Sequence, residues 1–545
     1  MENQPATAST SARSPLAQLW LWLMVLIVLL FVGFIRVRLL EMPLERDEGE
    51  YAYAGQLILQ GIPPYELAYN MKLPGTYYAY ALGMAVFGQT TVGIHLTLLV
   101  VNSLTSIFVF LLGRKLFGVT AGLVACASYA LMSVSIVVQG MAAHATQFVV
   151  LFAVPGTLLL WRAFQSGRCG AIFFSGLLYG LAFVMKQHGI FFVFFGLLVL
   201  FWREWSQLPR SPVKDSAKRF SLFIFGVALP FIAICVSLAY AGVFSRFWFW
   251  TFFYAWAYAT NVPIANGFGN LLNYIRSNFN FFVGFWILAV AGLFVALRNT
   301  AGQKRMTFAM GFLFFSFLGT VPGFYFQSHY FVLMLPAFAL IVGMAVQFLQ
   351  SMPPRWMKAI PVILLTGVVA WNIWLQWGAF FQLPPQMLCQ VIYKTNPFVE
   401  SIKVAKYIRE HSTKDARVAV IGSEPQIYFY AQRHSATGYI YTYPLMESQP
   451  YALTMQHQMI SEIESAKPEY IVVVINTYSW LLQEASDMEI FGWAQKYTTE
   501  HYDRVGLVDC RLGTPGIERW GNEAKNYSGK LEQFLDVYKR KPQPD

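Results

Sequence analysis

Charge is what this sequence has least of. Asp, Glu, Lys and Arg make up 12% of its 545 residues, while hydrophobic residues make up 56% and mean hydropathy is +0.47. Ordinary soluble domains carry about 25% charged residues, so that class is excluded for most of the chain. Cysteine is also scarce. Five residues at scattered positions do not suggest a disulfide framework. Cys126 and Cys235 fall in apolar runs and read as packing, and Cys169 lies in a short loop. Cys389 and Cys510 lie in a more polar part and are able to pair if that part is exported. There is no HExxH, no CxxC pair and no EF-hand loop, so the pattern indicates no resident metal and no firm cofactor. A divalent cation on Asp47 and Glu48 stays open. "VIGSEP" follows a strand-like run but lacks phosphate-loop glycine spacing, and reads as a capped helix start. No internal repeat of the transporter kind is present.

Long apolar runs are abundant instead. Spans are expected at 18–36, 94–112, 119–138, 147–164, 171–186, 189–202, 220–242, 281–297, 307–323, 330–349 and 359–380, which makes eleven. The first run has no small-residue cleavage site after it and reads as a retained helix. The net charge of +11 does not point to nucleic acid, because Lys and Arg flank the apolar runs. With the N-terminus in the cytoplasm, fourteen Lys and Arg fall in the short inner loops and seven in the longer outer ones. That bias supports the topology and puts the C-terminus outside.

The expected organisation is a cytoplasmic tail at 1–17, a transmembrane domain at 18–380 with a long first outer loop at 37–93, and an extracytoplasmic α/β domain at 381–545. Within the first loop, "YYAYALGMAVFG" is too short to span and suits the interface or a re-entrant position. A further outer loop, 243–280, is crowded with Trp248, Trp250, Tyr254, Trp256 and Tyr258, which suit the headgroup region. In the C-terminal part, "NPFVESIKVAKYIREHS", "SEPQIYFYAQR" (capped by Ser423), "YALTMQHQMISEIESA" and "GWAQKYTTEH" read as helices. "ARVAVIG", "EYIVVVI" and "YDRVGLVDC" read as strands. The Lys-rich end, "KNYSGKLEQFLDVYKRKPQPD", reads as a solvated helix and tail.

The scarce charges cluster. Asp47, Glu48 and Glu50 lie within four positions, in "ERDEGEYAYAG". Asp47 as N-cap with Glu50 three residues on fits a capping box, which leaves Glu48 unexplained. A carboxylate at the membrane surface is also placed to take a proton from an acceptor hydroxyl. Lys72 returns toward the membrane in "NMKLPG". Lys186 and His188 interrupt an apolar stretch in "FVMKQHG". There, charge is costly unless the lysine snorkels or serves a phosphate. His144, His329 and Tyr330 lie at outer ends of spans, and Tyr330 also suits an aromatic belt. Together these groups suit attack on a glycosyl phosphate, with a base on the acceptor and cations on the departing phosphate.

"ERDEGEYAYAGQLILQGIPPY", "MKLPGTYYAY", "FVMKQHG" and "SHYFVLMLP", in that order, resemble bacterial GT-C glycosyltransferases. That group includes the protein O-mannosyltransferases (glycosyltransferase family 39), the lipid A aminoarabinose transferases and the Rgt-type galacturonosyltransferases. The C-terminal "IGSEPQIYFYAQRHSATGYIYTYPLM" is similar to one bacterial branch. The resemblance implies a polytopic α-helical membrane protein of GT-C type with a C-terminal α/β domain, in a bacterial inner membrane. It implies a polyprenyl-phosphate sugar donor, a cell-envelope acceptor (lipid, glycan or protein) and inverting transfer at the outer face. Asp47 would be the base, with Glu48 completing an acidic pair. Lys72, Lys186, His188 and His329 would meet the donor phosphate, and His144 and Tyr330 would meet substrate. One departure stands out: where many relatives have an acid in the second outer loop, just before the span at 147–164, "GMAAHATQF" offers His144 and Thr146. Two other classes compete, a transporter or flippase of a lipid-linked sugar and a non-catalytic membrane scaffold.

Overall fold

The computed structural model describes residues 15–207, 211–297, 303–351, 358–511 and 516–542. The expected tail, apart from its last three residues, lies outside them, as do Arg210, Arg298 and Arg355 of the inner-loop count.

Each expected span falls on a helix. Seven of the described helices are long and apolar enough to cross a membrane: Pro15–Arg38, Thr91–Phe117, Ala145–Ser166, Gln187–Ser206, Val213–Tyr240, Ile264–Phe294 and Ser328–Ser351. Val119–Ser133, Cys169–Met185 and Ile360–Leu375 are shorter apolar helices. Large apolar side chains project outward from several of them, for example Leu19, Ile27, Leu30 and Phe34 on the first and Ile363 and Trp374 on Ile360–Leu375. In water such a surface would drive association, and in lipid it is the expected exterior. Inside, small residues let helices meet. Gly176 and Gly180 lie against the backbone carbonyls of Phe223 and Val227, where a Cβ would not fit.

One span differs from expectation. The helix expected at 281–297 begins at Ile264 and runs to Leu297, because "IANGFGNLLNYIRSNF" continues the helical register without a proline. The aromatic stretch before it is helical, with a π-helical turn at Phe249–Tyr254. Trp248 and Trp256 are exposed, as expected for a headgroup belt, but Trp250 and Tyr254 are buried. Tyr254 instead donates to Glu447 of the α/β region at 2.6 Å.

The C-terminal region carries one mixed sheet of six strands: β1 Arg417–Ile421, β2 His434–Ser435, β3 Tyr470–Ile475, β4 Tyr502–Asp509, β5 Glu518–Trp520 and β6 Phe534–Arg540. Their order is β2-β1-β3-β6-β4-β5. β1 pairs in parallel with β2 and β3, and the remaining pairs are antiparallel. The Lys-rich end is therefore not a solvated helix through its described part. "FLDVYKR" alternates well enough to fill the slot between β3 and β4, with Leu535 and Val537 buried. The helix after β1 starts at Gln426 rather than at Ser423, whose hydroxyl is bonded to Thr442. All five cysteines are free. The Cys389 and Cys510 thiols turn toward the carbonyls of Pro43 and Val508.

The helix Arg46–Leu59 joins the two regions. Its Arg46 donates to the Ser423 carbonyl at 2.5 Å and pairs with the buried Glu424 at 2.8 Å. The guanidinium also lies over the rings of Phe398 and Tyr443. Gly49 is needed for the approach, since a Cβ there would sit 2.7 Å from the Gln426 backbone nitrogen. Further along, the amide of Ser435 donates to the Tyr53 hydroxyl at 2.7 Å. Arg46→Met leaves Glu424 buried without its counterion and is expected to cost about 3–5 kcal/mol. Arg246→Met removes a half-exposed pair with Glu66 and is expected to cost less than about 1 kcal/mol. Thermal unfolding of the two variants in the same detergent checks the contrast.

Candidate active site

The site begins with how one helix starts. The N-cap is Glu45, not Asp47. Its carboxylate accepts from the Glu48 amide at 2.9 Å, and the Glu48 carboxylate accepts from the Glu45 amide at 3.4 Å. The capping box thus lies two residues earlier than the sequence pattern suggested, and it absorbs Glu48. Glu48 is fully buried and also accepts from the Ala143 amide at 2.6 Å, with His95 at 3.2 Å. Its oxygens are taken up by these internal partners.

With the box on 45 and 48, Asp47 and Glu50 share the opposite face at i, i+3 spacing. Lys72 reaches between them, 2.7 Å from Asp47 and 2.6 Å from Glu50. The Tyr77 hydroxyl donates to the second oxygen of Glu50. The ammonium lies over the rings of Tyr51 and Tyr441. The loop carrying Lys72 is pinned by Tyr65, which donates to the Lys72 carbonyl, and by Gln187, which donates to the Met71 carbonyl.

Asp47 uses its two oxygens differently. Oδ1 accepts from Lys72 and from the Tyr441 hydroxyl, the latter at 2.9 Å. Oδ2 faces a pair of imidazoles, with His144 Nδ1 at 3.8 Å and His329 Nε2 at 4.0 Å. The two rings are stacked, centroids 4.2 Å apart and 13° from parallel. His144 Nδ1 also lies 3.5 Å from Glu45. Thr146 donates to the His329 carbonyl at 2.9 Å and ties the two segments together.

Behind this layer, Tyr330 is edge-on to His329 and to His188. Lys186 Nζ sits over the Tyr330 ring, 4.1 Å from its centroid. Among the described residues Lys186 has no carboxylate partner. His188 is turned away, with Nδ1 2.7 Å from the Gly319 carbonyl.

Charge follows from this packing. Burial pushes the Asp47 carboxyl up, but Lys72 and the histidines hold it well below the usual range, so it is ionised. Burial and the neighbouring Asp47 charge raise Glu50 in spite of Lys72. Burial and the neighbouring Asp47 charge push Glu45 to about 7. Lys72 is desolvated, yet its two carboxylates keep it firmly protonated. Lys186 is desolvated without close compensation and falls to about 7.

The structure therefore brings Asp47, Lys72, His144 and His329 into one cluster, with Tyr330, Lys186 and His188 behind it. It places Glu48 in the helix cap. Sequence reasoning missed Glu45, Glu50 and Tyr441 as members. Glu50 was visible in principle, because i, i+3 spacing from Asp47 puts both on one face. The donor set for a cation also differs from the one expected. Asp47, His144 and His329 each offer a ligand atom, all within 4.8 Å of one another, and Glu48 does not take part.

Residues 72–234 match the family model for dolichyl-phosphate-mannose-protein mannosyltransferases. No curated protein sequence matches the chain. Three solved structures share its architecture. ArnT from Cupriavidus metallidurans, bound to undecaprenyl phosphate, aligns with a TM-score of 0.57 at 13% identity, over 96% of this chain and 98% of that one. The archaeal oligosaccharyltransferase AglB from Archaeoglobus fulgidus, in complex with an inhibitory peptide and a dolichol-phosphate, gives 0.54 at 13%, over 95% and 76%. The arabinofuranosyltransferase AftD from Mycobacteria gives 0.51 at 12%, over 98% of this chain and 40% of that one.

The fold is GT-C. The motif resemblance is borne out at that level, in a multi-pass membrane protein. The family-model match begins at Lys72 and includes His144, Lys186 and His188, while Asp47, His329 and Tyr441 lie outside it.

Proposed function

We propose that the protein is an inverting glycosyltransferase that moves a sugar from a polyprenyl-phosphate donor to a hydroxyl of a cell-envelope acceptor. The single observation that carries this reading is Asp47. It is an ionised, partly accessible carboxylate with one oxygen tied to Lys72 and Tyr441 and the other oxygen facing away from both.

In the proposed reaction the acceptor hydroxyl hydrogen-bonds to Asp47 Oδ2. The acceptor oxygen attacks the anomeric carbon from the face opposite the phosphate. The new C–O bond forms as the bond from carbon to phosphate oxygen breaks, and the acceptor proton passes to Asp47. Polyprenyl phosphate leaves with the electron pair of the broken bond. A carboxylate held below its usual range is a weak base, so the proton moves late, once the attacking oxygen carries positive charge. Phosphate leaves readily and needs charge stabilisation more than a proton. Lys186 meets that need, since among the described residues it lacks a counterion. Lys72 stays with its two carboxylates and orients Asp47. The reading places the cluster at the outer face of a bacterial inner membrane, with the N-terminus inside and the α/β domain outside, as the Lys and Arg bias supports.

A divalent cation is a second reading, favoured by the Asp47, His144 and His329 donor set. Both ring nitrogens of His144 are buried without a hydrogen-bond partner, which suits a ligand. Such an ion would supply Lewis acidity toward the phosphate. If it is resident, elemental analysis of purified protein shows stoichiometric metal that His144→Ala and His329→Ala lose.

The main test is sugar transfer by purified protein in nanodiscs, with a panel of polyprenyl-phosphate sugars and cell-envelope extract. Asp47→Asn is expected to lower turnover by about 10²–10⁴-fold while donor binding persists. Equal turnover in the variant removes Asp47 from the reaction. Binding of a lipid-linked sugar without turnover in either protein leaves the transporter and scaffold readings.

Lys186 sets a pH dependence. Its amine is charged below about 7 and neutral above, so its contribution to phosphate binding is present at low pH and lost as pH rises. Polyprenyl-phosphate affinity is expected to fall between pH 6 and 8.5 in wild type. Lys186→Met should bind more weakly at pH 6 and lose that part of the slope, as titration by intrinsic fluorescence will show.

A further inference from the structure

We infer that the α/β region is part of the catalytic centre, through Tyr441 acting as the positioning residue of Asp47. The inference rests on the proposed role of Asp47 as base.

Tyr441 comes from a segment 394 positions along the chain, yet its hydroxyl donates to Asp47 Oδ1 at 2.9 Å. The side chain is buried, and its ring flanks the Lys72 ammonium. Lys72 and Tyr441 thus meet the same oxygen. A carboxylate held by one donor can still swing about its Cβ–Cγ bond. Two donors on Oδ1 from different directions remove that freedom and leave Oδ2 for the acceptor.

The Tyr441 backbone is anchored to the same helix turn by a closed circuit. Arg46, beside Asp47, donates to the Ser423 carbonyl and pairs with Glu424. Glu424 accepts from Ser479 Oγ at 2.7 Å, and Ser479 Oγ accepts from the Ser423 amide at 2.8 Å. The amide of Thr442, next to Tyr441, donates to Ser423 Oγ at 3.0 Å, and Thr442 Oγ1 donates to the Ser479 carbonyl at 3.1 Å. The circuit leaves the helix at Arg46 and returns to it at Asp47. Ser423, Thr442, Ser479 and Glu424 are fully buried. A domain that only sat over the membrane part would not need so many buried polar groups at this one turn.

The test has two arms on the full-length protein. In the first, 3-fluorotyrosine is placed at position 441 and its ¹⁹F resonance is compared in wild type and Asp47→Asn. The contact predicts a shift, and an unmoved resonance overturns the inference whether or not any transfer activity is found. In the second, Tyr441→Phe keeps the ring and removes the donor. A hydrogen bond to a charged group corresponds to about 10- to 100-fold in rate. We expect kcat to fall by about that factor, donor KM to stay within about twofold, and the melting temperature to match wild type. Tyr439→Phe, which loses only a bond to Gln458, should keep wild-type kcat. Wild-type kcat in Tyr441→Phe, or a loss explained by a lowered melting temperature, overturns the positioning role. If wild type transfers no sugar, the functional reading fails by itself and the ¹⁹F arm alone decides the inference.

Discussion

Lys72 held between Asp47 and Glu50 is the contact on which the rest depends. Three ionisable groups are taken largely out of water at this point, and that is costly unless the geometry is good. Both ion-pair distances are below 3 Å. Tyr77 satisfies the far oxygen of Glu50, and Tyr441 adds a second donor to Asp47. With one cation shared by two carboxylates, the cluster keeps a net negative charge. The competition is unequal. Asp47, which also faces His144, an imidazole raised by the carboxylates around it, stays ionised, while Glu50 is raised. The sharing therefore makes Asp47 the more acidic of the two.

The same contact couples the two lysines. After Lys72 the chain turns through Pro74 and Gly75, and Gly75 packs against the Val184 carbonyl where a Cβ would not fit. Thr76 then donates to the Met185 carbonyl at 2.8 Å. The segment that delivers Lys72 is thus bolted to the turn that delivers Lys186. The two ammonium groups stand in opposite electrostatic situations. Lys72 has more negative charge around it than it needs, and Lys186 has too little. A dianionic or monoanionic phosphate entering the site corrects the second situation without disturbing the first.

Much of the architecture was legible in the sequence because lipid is a strict solvent. It requires long apolar helices, and their order, the short apolar piece "YYAYALGMAVFG" and the α/β alternation after residue 398 could be read directly. The boundaries that failed have different causes. The Ile264–Leu297 helix starts early because its local register is unbroken, while the strand at Phe534–Arg540 is set by partners distant in sequence. The site shows the same division. Asp47, Lys72, His144 and His329 stood out as rare polar groups in apolar surroundings and proved to be neighbours. The cap was misplaced because Glu45 and Asp47 each have an acid three residues on, and local pattern cannot choose between two overlapping boxes. Tyr441 left no signal, since one tyrosine among 29 gives no hint of a partner 394 positions away.

That blind spot bears on how the site divides its work. The family match covers 72–234 and holds Lys72, His144, Lys186 and His188. Asp47, His329 and Tyr441 come from outside it. Helix packing constrains the first set closely, because each lies at a helix end or turn whose position the membrane fixes. The second set is held by contacts between separate segments: the cap at Glu45, the Thr146 bond to the His329 carbonyl and the Arg46–Glu424 circuit. Such contacts can shift without repacking the membrane core. Under the proposed reaction, a scaffold built this way can keep its phosphate-binding lysine in place while the surroundings of Asp47 change. The α/β region, which reaches the Asp47 carboxylate with its own side chain, is where that change would be made.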